Sequence, residues 1–297
     1  MAQYGRPLHT IAHISDTHFL ADRKPLYGAV DTDATLTRLF EQLDRSGIRP
    51  ELLVFTGDIA DLGEADAYRR IRSIVDPAAE RLGARVLWVM GNHDDRSRVR
   101  TELLDEEPGT DPVVTSIRIG GLRVIALDTS VPGYHHGELQ ASQLEWLRAE
   151  LAEPAPEGTI VALHHPPIPT TLPLMPILEL QRQHELDDVL RGTDVRAVLG
   201  GHLHYSTTSL FAGVPVSVAA ATCYTMDLTG AAGALSGVDG GQSFSLVQVY
   251  DDRIVHSTIP IGDYAVVSGF DAAFVDRMES LDDEGRIAAF SRHPDRA

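Results

Sequence analysis

The chain has 297 residues, 43% hydrophobic and 23% charged, an ordinary globular composition that excludes a disordered or low-complexity protein. With 43 acidic residues against 25 basic ones the formal net charge is −18, so a nucleic-acid polymer meets a repulsive field and is excluded as a partner class. Cys223 is the only cysteine, which excludes an internal disulfide and a thiolate-rich zinc site and suits a reducing cytoplasm.

The start of the chain, Met1 to Thr10, lacks the basic and apolar regions of a signal peptide, and no run reaches the ~18–20 apolar residues of a membrane span. The expectation is an unexported, cytoplasmic protein without a membrane span. Leu8 to Ser15 reads as a strand. Asp33 to Ser46 reads as a helix, with Leu36, Leu39, Phe40 and Leu43 on one face and Gly47 as its stop. Leu52 to Thr56 is a second strand, Glu64 to Leu82 a helix ended by Gly83, Arg85 to Met90 a strand, and Asp95 to Glu106 a helix. Thr115 to Ile119 and Leu122 to Asp128 flank Gly120-Gly121 as a hairpin, and Gln140 to Leu151 is helical. Thr159 to Leu163 is a buried strand halted by His164-His165-Pro166-Pro167. Glu179 to Arg191 is helical and Val195 to Gly200 a strand. The remainder, Thr207 to Phe211, Val214 to Val218, Ser243 to Val249 and Ile254 to Pro260, reads as β.

A first half of β-α units and a second half of hairpins predicts an α/β fold: two mixed β-sheets packed as a sandwich with helices on the outer faces. One domain over residues 1–262 and a C-terminal tail over 263–297 are expected. Ala221 to Gly241, rich in Ala and Gly, reads as a mobile loop.

Five clusters begin where apolar strands end: Asp16-Thr17-His18, Gly57-Asp58, Gly91-Asn92-His93-Asp94, His164-His165-Pro166 and Gly200-Gly201-His202-Leu203-His204. The carboxyl ends of strands are where α/β folds place their sites. Carboxylate, amide oxygen and imidazole are the ligand set of Mn, Fe or Zn. Each fragment alone has a plain structural reading, as a turn or a satisfied histidine; the five in this order do not.

These ordered blocks, D-x-H, G-D, G-N-H-[DE], H and G-H-x-H, resemble the calcineurin-like metallophosphoesterases over roughly residues 8 to 260, and within them the bacterial class III cyclic-nucleotide phosphodiesterases. The resemblance implies the four-layer αββα fold and a phosphoric diester hydrolase with two divalent or mixed-valence metal ions. Asp16, His18 and His204 would bind one metal, Asn92, His164 and His202 the other, and Asp58 both. It takes His164, which follows its strand directly, rather than His165, leaving His165 to face substrate or pack against the prolines. It implies attack by a hydroxide bridging the metals at a centre of about +1 charge, which attracts an anionic diester despite the acidic chain. His93 would be the catalytic residue, donating to the phosphoryl oxygen or protonating the leaving alkoxide. Asn92, His93, His204, His165, His135, Tyr134 and Tyr224 are the expected substrate contacts. Asp94 reads as an orienter of His93 or as a helix cap. Cys223 reads as a small buried residue, and His9, His184, His256 and His293 as solvated or satisfied.

The implied substrate is a small phosphodiester: 3′,5′-cyclic AMP and 2′,3′-cyclic nucleotides, or alternatively glycerophosphodiesters or other small diesters. A homodimer is expected from the resemblance and the frequency of symmetric oligomers. Protein phosphatases of the superfamily carry an arginine after the second block, where this chain has Leu62, so that activity is not expected. A non-catalytic scaffold of the same fold would have lost metal ligands, and none of the seven is missing.

Overall fold

A computed structural model describes residues 4–292. In chain order the elements are β1 (His9–Ile14), α1 (Thr32–Ser46), β2 (Leu52–Thr56), α2 (Ala65–Leu82), β3 (Arg85–Val89), α3 (Arg96–Leu103), β4 (Val114–Ile119) and β5 (Leu122–Leu127). Then come α4 (Ala141–Glu150), β6 (Thr159–Leu163), α5 (Gln183–Leu190), β7 (Val195–Gly200), β8 (Thr207–Phe211), β9 (Val214–Val218), β10 (Thr225–Met226), β11 (Gly237–Val238), β12 (Ser243–Val249) and β13 (Ile254–Pro260).

Residues 7–261 form one compact unit built on two mixed sheets, ordered β13-β12-β1-β2-β3 and β4-β5-β6-β7-β9-β8. The chain thus has the expected α/β sandwich of two mixed sheets with helices outside. Strands buried on both faces need apolar side chains both up and down, which is why Leu52 to Thr56 and Thr159 to Leu163 are buried throughout. Ile11, Val54, Leu87, Val124, Ile160, Leu199 and Val247 fill the layer between the sheets, each such side chain contributing about 1.5–3 kcal/mol of burial. Helices α1 and α2 cover the outer face of the first sheet through Leu36, Leu39, Tyr68 and Ile71. On the second sheet α4 and α5 do the same through Leu144, Leu147, Leu186 and Val189. His9 joins the sheets at the end where β1 begins, 2.6 Å from both Glu51 and Glu157. Burial opposes protonation of this ring, but the two carboxylates outweigh it and raise its pKa.

Two readings of the sequence need correction. The Ala- and Gly-rich stretch 221–241 is not all loop: β10 and β11 pair antiparallel within it, a ladder too short to leave a periodic signal. Helix α5 begins at Gln183 rather than Glu179, because Leu180 bridges to Gly137 and Arg182 adopts a left-handed φ of 51°.

Residues 262–292 belong to a second unit. It contains helices α6 (Ala272–Glu279) and α7 (Asp283–Arg286), capped by the Asp271 and Asp282 side chains. The Phe270 ring lies 4.4 Å from Phe274 and 5.3 Å from Phe290. His293 lies outside the described residues.

Candidate metal centre

Five loops converge at the carboxyl ends of β1, β2, β3, β6 and β7. Backbone hydrogen bonds join them: Asp16 N–H donates to Gly57 O at 3.1 Å, His18 N–H to Asp58 O at 2.9 Å, and Gly201 N–H to His164 O at 3.0 Å. The two sheets are tied directly by His202 N–H, which donates to the Asp16 carboxylate at 3.1 Å. Asp16, His18, Asp58, His202 and His204 all sit at left-handed φ between 45° and 67°, a conformation that costs a non-glycine residue roughly 1–2 kcal/mol. Glycine provides room for this crowding, since a Cβ on Gly91 would overlap the Asp58 backbone and one on Gly201 the Ser15 hydroxyl.

Asp94 neither orients His93 nor caps α3. Its carboxylate accepts from the N–H groups of Gly91, Ile59 and Ala60 and from the Tyr68 hydroxyl, at 2.9 to 3.2 Å. It staples the loop after β3 to the loop after β2. The helix cap is Asp95, which accepts from Arg98 N–H.

The imidazoles are held in defined tautomers by their outer nitrogens. His164 Nδ1–H donates to Thr56 O at 2.7 Å, His204 Nδ1–H to Tyr224 O at 3.1 Å, and His18 Nδ1–H to Asp61 Oδ1 at 2.9 Å. His202 uses Nε2–H, toward Leu178 O at 3.1 Å, which leaves Nδ1 for the centre. The Asn92 amide donates to His135 Nδ1 at 2.9 Å and so turns Oδ1 inward. Acceptors therefore face acceptors. His18 Nε2 is 3.2 Å from His204 Nε2, His164 Nε2 is 3.2 Å from Asn92 Oδ1, and Asp58 Oδ2 lies 3.4 Å from His18 and 3.3 Å from His164. Asp16 Oδ1 is 3.4 Å from His204 Nε2. Buried lone pairs so opposed require cations between them. The spacings match the edges of a coordination polyhedron with ~2.1 Å bonds, about 3.0–3.4 Å. The His/Asp cluster is able to bind metals, and its donors fit them.

The electrostatics agree. Burial pushes His202 down to about 3 and keeps His204 well below its ordinary range. Against the same burial, Asp58 lifts His164 to about 9, while the Cys223 thiol and the Asp58 and Asp61 carboxylates lift His18 well above its usual value. Burial raises Asp16 to about 6; at Asp58 it is outweighed by His164 and His18, which hold that carboxyl far below the usual range. The pocket takes up positive charge, as protons or as metal ions.

Of the other expected site residues, His93 and His135 line a cleft of about 130 Å³ over the centre with Asn92, Met175, Leu178 and Tyr224. His93 Nδ1–H donates to Asp61 O at 2.8 Å. Two expected contacts lie elsewhere. His165 is wholly buried, its Nδ1 paired with Thr129 Oγ1 and its Nε2–H donating to His135 O, so it packs behind His164 and His202. Tyr134 is 61% exposed and rests against His136 rather than on the cleft. Cys223 is fully buried, which pushes its thiol up to about 12. His256 is neither solvated nor satisfied: both ring nitrogens are buried without a hydrogen-bond partner. Asp61, which holds both His18 and His93, was not singled out from the sequence, although it stands in the second block three residues after Asp58.

Fold and centre together define a metallophosphoesterase. A dimetal phosphatase from Danio rerio shares the fold at a TM-score of 0.63, with 17% identity, over 86% of this chain and 98% of that one. The chain belongs to the calcineurin-like phosphoesterase family, which it matches over residues 9–206. It is 58% identical over 269 residues to a cAMP/cGMP dual specificity phosphodiesterase of Mycobacterium tuberculosis, covering 91% of this chain and 85% of that protein. A probable cyclic nucleotide phosphodiesterase of Rhodococcus erythropolis is 53% identical over 266 residues, 90% of this chain and 88% of its own.

Proposed function

We propose that the protein is a dinuclear-metal phosphodiesterase that hydrolyses cyclic nucleotides, 3′,5′-cyclic AMP and 2′,3′-cyclic nucleotides among them, to nucleoside monophosphates. The observation that carries this reading is the set of opposed lone pairs around Asp58, a donor arrangement for two cations flanking one carboxylate. The names of the two relatives support the cyclic-nucleotide class. Asp16, His18 and His204 would hold one metal, Asn92, His164 and His202 the other, and Asp58 would serve both. Mn, Fe or Zn suits these donors. When bound, the ions supply Lewis acidity toward the phosphoryl group and hydroxide near neutral pH.

The chain's own residues do the rest. Asp61 and the carbonyls of Thr56 and Tyr224 accept from the outer Nδ1–H groups and so orient each ring with Nε2 toward the centre, the nitrogen that a metal would bind in place of a proton. Asn92 and His204 border the bound phosphate as well as a metal. His93, its Nδ1 committed to Asp61 O, presents Nε2 to the substrate, to hold a phosphoryl oxygen or to pass a proton to the departing alkoxide. His135 braces the Asn92 amide and Tyr224 walls the cleft. The domain spans 1–262 with a tail over 263–297, and the protein is a cytoplasmic homodimer in this reading, which light scattering checks.

The test is metal-stripped protein reconstituted with Mn(II) and assayed on cyclic AMP, 2′,3′-cyclic AMP, glycerophosphocholine and AMP. Chelation should abolish turnover, and the cyclic diesters should exceed the other two in kcat/KM. Full activity without metal would overturn the dinuclear reading, and a preference for glycerophosphocholine the substrate class.

A further inference from the structure

We propose that a second cavity, which shares three walls with the metal cleft and is lined by Tyr27 and Tyr224, receives the nucleobase of the cyclic nucleotide. The inference rests on the phosphodiesterase reading and adds the part of the substrate that the metal centre does not touch.

The cleft over the centre, at about 130 Å³, has room for little beyond the phosphate. Beside it lies a cavity of about 450 Å³ that shares Met175, Tyr224 and Met226 as walls and is completed by Tyr27, Val30 and Val238. Two aromatic rings, two thioethers and the branched aliphatic side chains of Val30, Leu235 and Val238 make a surface for a flat, weakly hydrated ring. Its one charged lining group is Asp239, which repels a second phosphate and accepts a hydrogen bond from an exocyclic amine. The cavity on the opposite side, beyond Asn92 and His93, is lined by Asp94, Asp95, Arg96, Thr110 and Ser130. Leu62, Val131 and Pro132 line it too, but its only aromatic ring is that of His93, which faces the phosphate in this reading, so it holds no pair of rings like Tyr27 and Tyr224.

Tyr27 is held out on purpose-built backbone. It is 72% exposed at a left-handed φ of 52°, in a turn closed by Gly28 N–H donating to Pro25 O at 3.0 Å. Leu26 and Val30 pin both feet of the turn: their backbones exchange hydrogen bonds of 2.9 and 3.0 Å, and their side chains are buried against Ala221 and Cys223. An aromatic held 72% exposed in a strained, anchored conformation buries little of its own surface, and the contact it keeps is with the other ring of the cavity. Its ring meets Tyr224 edge-on at 5.6 Å. Tyr224 in turn lies 4.4 Å from the His204 ring and accepts His204 Nδ1–H on its carbonyl, which links the base wall to a metal ligand. Behind it Gly237 of β11 leaves space that any Cβ would take from the Tyr224 ring.

The test uses Tyr27→Ala, with Tyr27→Phe as the control that keeps the ring. Stacking of one base on one aromatic predicts a rise of roughly 5- to 150-fold in KM for cyclic AMP in Tyr27→Ala. Values of kcat should stay near wild type, and turnover of methyl p-nitrophenyl phosphate, which has no base, should be unchanged. Adenosine binding to metal-free protein, followed by saturation-transfer NMR, gives a readout independent of activity: adenine protons should show contact in wild type and Tyr27→Phe and lose it in Tyr27→Ala. Unaltered KM for cyclic AMP together with unaltered adenosine contact would overturn the proposal. A wild type that hydrolyses no diester yet shows the adenosine contact would count against the phosphodiesterase reading and leave the base cavity standing.

Discussion

His93 is the side chain whose removal tests the chemistry most sharply, because it stands over the centre without belonging to it. Its backbone N–H donates to Asp58 Oδ1 at 2.9 Å and its Nδ1–H to Asp61 O, so the ring cannot turn Nδ1 toward a metal. His93→Ala keeps the first bond and removes the ring, so that the Nδ1–H bond to Asp61 O is lost together with whatever Nε2 does. If Nε2 clamps a phosphoryl oxygen, one hydrogen bond to a charged group is lost, about 1.5–3 kcal/mol, and kcat falls roughly 10- to 150-fold. If it delivers the leaving-group proton, the loss is about 10²–10⁴. A nitrophenyl diester, whose leaving group needs no proton, separates the two: an acid role predicts recovery of most of the rate, a clamp predicts little. Metal content and both rates are measured on one purified variant. Loss of a metal from His93→Ala would mean that His93 supports the centre, and near-normal turnover of cyclic AMP would remove it from the mechanism altogether.

Asp61→Ala takes the acceptor from His18 Nδ1–H but leaves the carbonyl that holds His93, so metal affinity should weaken by about 10–100-fold with metal-saturated kcat changed far less; equilibrium titration with Mn(II) checks it, and unchanged affinity would refute the link. His13 supplies a pH-dependence. Burial depresses its pKa to about 3, with Nε2 bonded to Thr56 Oγ1 at 2.9 Å and Nδ1 without a partner. The folded state therefore binds fewer protons than the unfolded one, and stability is lost as pH falls below about 6.5 and on toward the folded value. At pH 5, 1.5 units below the unfolded pKa, the loss is about 2 kcal/mol. Urea unfolding at pH 7.5 and 5 should show His13→Gln gaining that much on wild type, and parallel pH profiles for the two proteins would refute it.

The chemistry was legible because it is written in short side chains at the ends of apolar runs. Leu52 to Thr56 and Thr159 to Leu163 announce buried strands, so Asp58 and His164 could be placed at their carboxyl ends without knowing how the sheets pack. The choice of His164 over His165 was less available, since both follow the same strand. What separates their positions is a hydrogen bond from Nδ1–H of His164 to Thr56 of another strand, and a hydroxyl, Thr129, that engages His165. The walls of the cleft were not legible at all. Met175 and Leu178 arrive on a short 3-10 turn, and Met226 on a two-residue strand. Neither element is long enough to show a period. His13 sits between the sheets because Ile11, two residues earlier, faces inward; it lies outside the five clusters, and nothing in the sequence marks it as a buried, half-paired imidazole.

The left-handed backbone at Asp16, His18, Asp58, His202 and His204 has a consequence for how this protein can change over time. Five strained positions, at roughly 1–2 kcal/mol each, weigh heavily against the 5–15 kcal/mol that holds a typical domain folded. Metal ions held by the cluster would offset that strain. A descendant that no longer needed the ions could relieve the strain with glycine, which occupies the same φ without steric clash, at a cost in chain entropy everywhere and, at Asp16 and Asp58, of the acceptors for His202 N–H and His93 N–H. The strain is thus bound up with the cluster, and loss of metal binding should leave its first mark as glycine at His18, His202 and His204 while the sandwich beneath stays as it is.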